Sequence, residues 1–162
     1  AETYATPRAH AVCDWSTMAS KSLANVSLPA GKTLGFEIRI CPVRRSGQGE
    51  RDTYLSAVES HSEEGSPDRA EVYAQWLQER LSDGAALELH ATEMTGFRLI
   101  AVWRRQHNGR GRAGKGQRLT RPDALMRGRL TITHETRFRD LLARGVGRHR
   151  AFGFGMLLLR PA

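Results

Sequence analysis

Alternation of apolar and polar positions is cleanest at residues 34–40, where Leu34, Phe36, Ile38 and Ile40 fall on one side and Gly35, Glu37 and Arg39 on the other. Period two predicts a half-buried strand, ended by Pro42. Residues 44–66 are polar and rich in Gly and Ser, a surface connection with room for a short helix over 51–59. Ser66-Pro67 then reads as N-cap and first residue of a helix running to Leu81, with Tyr73, Trp76, Leu77 and Leu81 at helical spacing on a core-facing stripe. Asp83-Gly84 closes it. A short strand over 86–90 leads into the run 97–103, whose Phe97, Leu99, Ile100, Val102 and Trp103 are apolar on both sides. That pattern predicts a central strand. Alternation resumes at 129–133 with Leu130 and Ile132 inward. A helix over 133–144 follows, with Thr133 as N-cap, Phe138, Leu141 and Leu142 on one face and Gly145 at its C-terminal end. Residues 156–159 form a last, buried strand before Pro161. From residue 34 the order is β-α-β-β-α-β, an α+β, ferredoxin-like (split βαβ) domain. Residues 1–30, with Pro7 and Pro29 and no sustained period, stand outside it.

Composition alters this picture through charge. The 162 residues carry a net +8, unevenly spread: 9 Lys+Arg against 14 Asp+Glu in residues 1–97, but 16 against 3 in 98–162. A basic half of this kind points to a polyanion partner. No basic amphipathic helix with an aromatic face favours a membrane surface, and no apolar run approaches the roughly 18 residues needed to span one. Nucleic acid is the better reading, in a cytoplasmic protein. Cys13 and Cys41 stand apart with no C-x-x-C and no paired His, so two reduced thiols are expected and neither a metal site nor a cofactor.

The cations concentrate in two glycine-rich stretches. Residues 104–118 hold six Lys/Arg (Arg104, Arg105, Arg110, Arg112, Lys115, Arg118), four Gly and no acid. G-R-G-R-A-G-K (109–115) superficially matches a phosphate-binding P-loop, but Gly116 stands where Ser or Thr must hold Mg²⁺ and no helix follows. A cationic hairpin tip tracking a phosphate backbone fits better, a merely solvated loop being the alternative. The second stretch is G-V-G-R-H-R-A-F-G-F-G, residues 145–155, where Gly145, Gly147, Gly153 and Gly155 bracket Arg148, His149 and Arg150. Helix, loop, strand is the reverse of the dinucleotide-binding order. A helix cap followed by a bulged strand would account for the glycines alone. The cations among them favour phosphate contact by side chains and bare main-chain N–H groups. Aromatic base-stacking signatures are missing from the candidate central strands, which favours structured or duplex RNA over single-stranded bases.

The string G-V-G-R-H-R-A-F-G-F-G-M-L-L-L-R-P (145–161) resembles the glycine-rich loop and last strand of the CRISPR repeat-processing endoribonucleases, most closely the CasE family of the type I-E Cascade complex. G-K-T-L-G-F-E-I-R-I-C-P-V (31–43) is similar to the strand that opens that family's second domain, and residues 128–133 fit the segment before its final helix. The resemblance spans about residues 30–162. It implies two tandem ferredoxin-like domains, with 1–30 the remnant of the first plus a linker and 31–162 the second, RNA-binding one. It further implies metal-independent cleavage of precursor CRISPR RNA at the base of the repeat stem-loop, by attack of a ribose 2′-OH on the adjacent phosphate. The enzyme then stays on the crRNA repeat hairpin beside the backbone subunit at the crRNA 3′ end, within Cascade. Gly145, Gly147, Gly153 and Gly155 match the family's loop, Arg148, His149 and Arg150 its variable centre, and 104–118 takes the position of a hairpin that enters the RNA groove. The family's catalytic His lies on the first helix of the first domain, and no His here matches it, so the catalytic residues stay unassigned. The alternative is a non-catalytic RNA-hairpin-binding module of a ribonucleoprotein.

Overall fold

The computed structural model describes residues 25–47, 49–60, 65–107 and 113–162, with side chains given outside 104–117. Strand β1 (Thr33–Ile40) runs antiparallel to both β6 (Ala113–Ile132) and β7 (Leu157–Pro161). β4 (Ala85–Leu87) and β5 (Glu93–His107) lie one after the other along the far edge of β6, also antiparallel. Between them a 3-10 turn, Leu89–Ala91, packs so close to Gly128 that a Cβ there would meet the Ala91 carbonyl at 2.6 Å. The sheet order β4/β5-β6-β1-β7 is the ferredoxin-like one expected from the β-α-β-β-α-β reading.

Two helices cover one face of this sheet. α2 (Arg69–Leu81) buries Tyr73, Ala74, Trp76, Leu77 and Leu81, and α3 (Glu135–Arg144) buries Phe138 and Leu141. They meet Leu34, Phe36, Ile38 and Ile40 of β1 and Ala124, Met126, Leu130 and Ile132 of β6, all buried. The alternation seen at 34–40 is therefore the core face. Val26 and Leu28, on the near side of the boundary expected at residue 30, pack into the same core. Cys41 is buried, and burial pushes its thiol up to about 12, which leaves it an inert packing group.

Several expectations are corrected. The connection after β1 holds the short helix expected over 51–59, as α1 (Thr53–Ser60), but it also holds a hairpin that was not expected, Val43–Ser46 (β2) paired with Gly49–Asp52 (β3). The α2 cap is Asp68, whose carboxylate accepts from the Ala70 N–H, rather than Ser66; extended Asp68 satisfies an orphan donor directly, so the helix starts later. α3 is preceded by His134 and not capped by Thr133. The run 97–103 is one arm of a long hairpin, with Leu99 62% and Trp103 66% exposed, because among the described residues β5 pairs with β6 alone and its outer half extends past the helices. Among the described residues β7 is an edge strand: it pairs there only with β1, and Leu158 is 54% exposed on the uncovered face of the sheet.

Candidate nucleic-acid interface

The glycine loop is pinned at both ends by backbone. The Gly145 N–H donates to Leu141 O at 2.8 Å, the Val146 N–H to Gly155 O at 2.8 Å, and the Gly155 N–H to Arg39 O of β1 at 2.8 Å. Val146 joins the main core, while Phe154 is buried with Cys41 and Val43. Residues 147–153 are thereby held out between two apolar anchors. Gly145, Gly147, Gly153 and Gly155 all take positive φ, from +73° to +81°, the left-handed side that favours glycine. His149 shares it at φ 61°, a conformation that costs a non-glycine residue free energy and persists only where surroundings fix it. A 3-10 turn, Arg150–Phe152, completes the loop.

What fixes His149 is Glu50, on the β2–β3 hairpin. Its carboxylate lies 2.7 Å from His149 Nε2, accepts from Arg148 at 2.9 Å and accepts from Arg121 of β6 at 3.2 Å. Glu50 and Arg121 are largely buried, and Arg121 Nε has no partner among the described residues. Burial pushes the Glu50 carboxyl up, but the hydrogen bonds from His149 and Arg148 and the charges of His149 and Arg121 outweigh it and hold the group below its ordinary 4.5. His149 thus faces a carboxylate as well as its flanking arginines. Arg150 turns the other way and donates to the carbonyl of Arg144.

A second buried carboxylate supports the loop from below. Asp123 of β6, 5% exposed, takes two bonds from Arg39 at 2.7 and 2.8 Å and one from Arg98 at 2.7 Å. The Arg39 bonds, opposed by burial and aided by Arg98, hold Asp123 below its ordinary 3.8. Arg39 also lies 4.6 Å over the Phe154 ring, so this cluster braces the loop's exit. Because the folded values of both acids are depressed, their stabilisation is fully present above their ordinary values and is lost as pH falls through the lower folded ones. Urea midpoints should therefore fall steeply below about pH 4, and less steeply in Asp123→Asn. An identical acid limb in that variant would remove Asp123 from the account.

Of the residues singled out in the sequence, Gly147, Arg148, His149 and Arg150 come together with the base of the β5–β6 hairpin. Together with Glu50, Ala151, Phe152, Val102 of β5 and Leu119 of β6 they line a groove of about 620 Å³. Arg104 and Arg105 lie in β5, opposite Gln117 and Gly116, and Lys115 lies in β6. Arg118 is exposed and paired with Trp103. Arg110 and Arg112 fall outside the described residues. Sequence reading missed Glu50, Arg121 and Asp123. They sit on two different strands with no motif spacing, and only the folded register brings them under the loop.

The fold and site define a ferredoxin-like domain that carries a left-handed, arginine-bearing glycine loop between its last helix and its edge strand. The chain belongs to the family described as CRISPR associated protein, whose family model matches residues 2–161. Among solved structures it is similar to the CRISPR endoribonuclease Cse3 bound to a 19-nucleotide RNA, at 25% identity and TM-score 0.62 over 91% of this chain and 68% of that one. A Thermus thermophilus Cse3 bound to an RNA representing a pre-cleavage complex matches at 20% identity and TM-score 0.57, over 85% of this chain and 57% of that one. A chain of a CRISPR RNA-guided surveillance complex matches at 18% and 0.56, over 89% and 66%. The last two identities speak to fold alone. This is the endoribonuclease type that residues 145–161 resemble. The chain spans little more than half to two thirds of these proteins. No curated protein sequence matches it. No helix among the described residues is long and apolar enough to cross a membrane.

Proposed function

We propose that this chain is the hairpin-gripping domain of a CRISPR repeat-processing endoribonuclease. It binds the stem-loop of precursor crRNA, serves cleavage at the base of the stem and stays on the product within a Cascade-type complex. The observation that carries the reading is the groove in which Arg148, His149 and Arg150 of the glycine loop meet Val102 and Leu119 at the base of the β5–β6 hairpin, in a chain of this family. The likeness to an RNA-bound Cse3 supports it. Duplex phosphates track the hairpin, while Arg148 and Arg150 project from a loop fixed in advance, so little ordering cost falls on binding. In 2′-OH transesterification the phosphorane gains charge, and preorganised guanidinium and main-chain donors stabilise it without a metal. Glu50, held ionised by three donors, is a poor proton acceptor. The base and acid come instead from a preceding ferredoxin-like domain, as the family resemblance implies.

Anisotropy titration with a repeat stem-loop and a scrambled single strand of equal length tests the binding. Strong preference for the stem-loop is expected; equal affinities would defeat the reading. One contact favours a rival role for His149: a carboxylate at 2.7 Å orients its ring, the arrangement of a base and its orienting group. His149→Ala separates the two roles. For a phosphate contact, RNA binding weakens by about 1 kcal/mol, and single-turnover cleavage by a protein carrying both domains holds within a few-fold at saturation. A loss of about 10²-fold or more in that rate would place proton transfer in this loop.

A further inference from the structure

The glycine loop has a second side, turned toward the helices, that the hairpin groove does not use. A cleft of about 570 Å³ opens there, lined by six arginines: Arg44 and Arg45 of β2, Arg80 near the end of α2, Arg144 ending α3, and Arg148 and Arg150 of the loop. One acid, Glu79, shares the lining and is bound to Arg44 at 2.7 Å. Arg148 is held by Glu50 across the loop, and Arg80 lies 5.4 Å over the ring of buried Trp76. Among the described residues, Arg45, Arg80 and Arg144 are exposed and have no carboxylate within ion-pair distance. Part of the floor is apolar, from Val43, Leu141 and Val146. The wall includes Trp76, whose ring N–H has no partner among the described residues. Cations gathered on a concave, partly apolar surface repel one another and focus a positive field, an arrangement that costs stability unless a polyanion fills it.

The cleft and the hairpin groove share Gly147, Arg148 and Arg150, so the loop is a narrow ridge between them. Gly147 makes the ridge thin: a Cβ there would meet the Trp76 ring at 2.7 Å. A chain leaving the groove has only to cross that ridge to enter the arginines. We propose that this cleft binds the single-stranded RNA continuing from the base of the stem, its phosphates on Arg45, Arg80 and Arg144 and its bases over the apolar floor. Guanidinium forks suit phosphate oxygens, and a flexible strand fits a bent path that a duplex cannot follow. The inference rests on the stem-loop reading above and adds a separate subsite to it.

The test compares three RNAs on the 162-residue chain: the bare repeat stem-loop, and the same stem-loop with a short oligouridine tail at either its 5′ or its 3′ end. In the wild type, one tail is expected to raise affinity about tenfold, with a steeper salt dependence. The variant R45A/R80A/R144A should bind the bare stem-loop within about twofold of wild type and lose the tail's gain. Its salt slope on the tailed RNA should fall by about 2, at roughly 0.7 per single-strand phosphate. R45K/R80K/R144K should recover much of the gain, and an unchanged melting temperature in both variants establishes intact folding. If neither tail helps the wild type, or the Ala variant loses bare and tailed RNA alike, the cleft is not a strand site although the stem-loop reading survives. If the wild type binds no stem-loop, both readings fall. Displacement of the tail by polyglutamate at lower concentration than by oligouridine would overturn RNA in favour of an acidic protein partner.

Discussion

Gly155→Ala is expected to destabilise the domain by about 3 kcal/mol or more and to abolish preferential stem-loop binding. Two costs add. The residue sits at φ +79°, which an L side chain adopts at about 1–2 kcal/mol. Its Cβ would then land on the Val146 carbonyl oxygen, far inside contact distance, with the Val146 backbone carbon and nitrogen at 3.0 Å. Backbone cannot rotate aside as a side chain does, so one end of the loop must move, at about 1–3 kcal/mol of overpacking. The groups displaced are the ones that pin the loop: the Val146 N–H on Gly155 O and the Gly155 N–H on Arg39 O. Gly153→Ala is the control. Its φ is +81°, but the nearest atom to an added Cβ is a guanidinium nitrogen of Arg39 at 3.8 Å, so only the conformational cost of about 1–2 kcal/mol applies. Urea unfolding of both variants decides the point. Equal, small losses would mean that the crossing of 146 and 155 does not hold the loop.

That crossing also shows how far the sequence could be read. The glycines were visible as positions needing unusual backbone, and all four take it, because nothing but glycine suits φ near +80° in the tight approaches at 145, 147 and 155. Strand β1 and the stripe of α2 were legible because one face of each meets core and the other does not, so periodicity encodes burial directly. β5 and β7 misled for one reason: apolar residues on both faces imply two covers, yet β5 extends beyond the helices and β7 lies at the edge. On β5 part of that apolar face is used in another way, since Arg69 lies 4.4 Å over Phe97 and 3.7 Å over Tyr54. Glu50 was illegible altogether. One acid in a polar connection carries no signal until the β2–β3 hairpin folds it under Arg121, Arg148 and His149.

Removing the hairpin's cations is expected to have the largest effect on binding. With Arg110, Arg112, Lys115 and Arg118 replaced by Ala, the slope of log affinity against log salt should fall by about 3, at roughly 0.7–0.9 for each phosphate no longer neutralised. Near physiological salt the affinity for the stem-loop should drop by about a hundredfold. The reasoning rests on charge and reach. Residues 98–162 hold 16 Lys+Arg against 3 Asp+Glu, while Glu50 and Asp123, the acids beside the hairpin's base, are already committed to arginines. Nothing acidic within 104–118 offsets the added field, so each charge there acts on the ligand at nearly full strength. Arg118 is exposed across from Trp103, next in sequence to Leu119 of the groove but on the other face of β6. Arg137 of α3 is the control, for its guanidinium is bound to Asp83 at 2.9 Å, just past the end of α2. Arg137→Ala should leave the salt slope unchanged. A quadruple hairpin variant with the same slope as wild type would make the insert a solvated loop and leave RNA contact to the glycine loop alone.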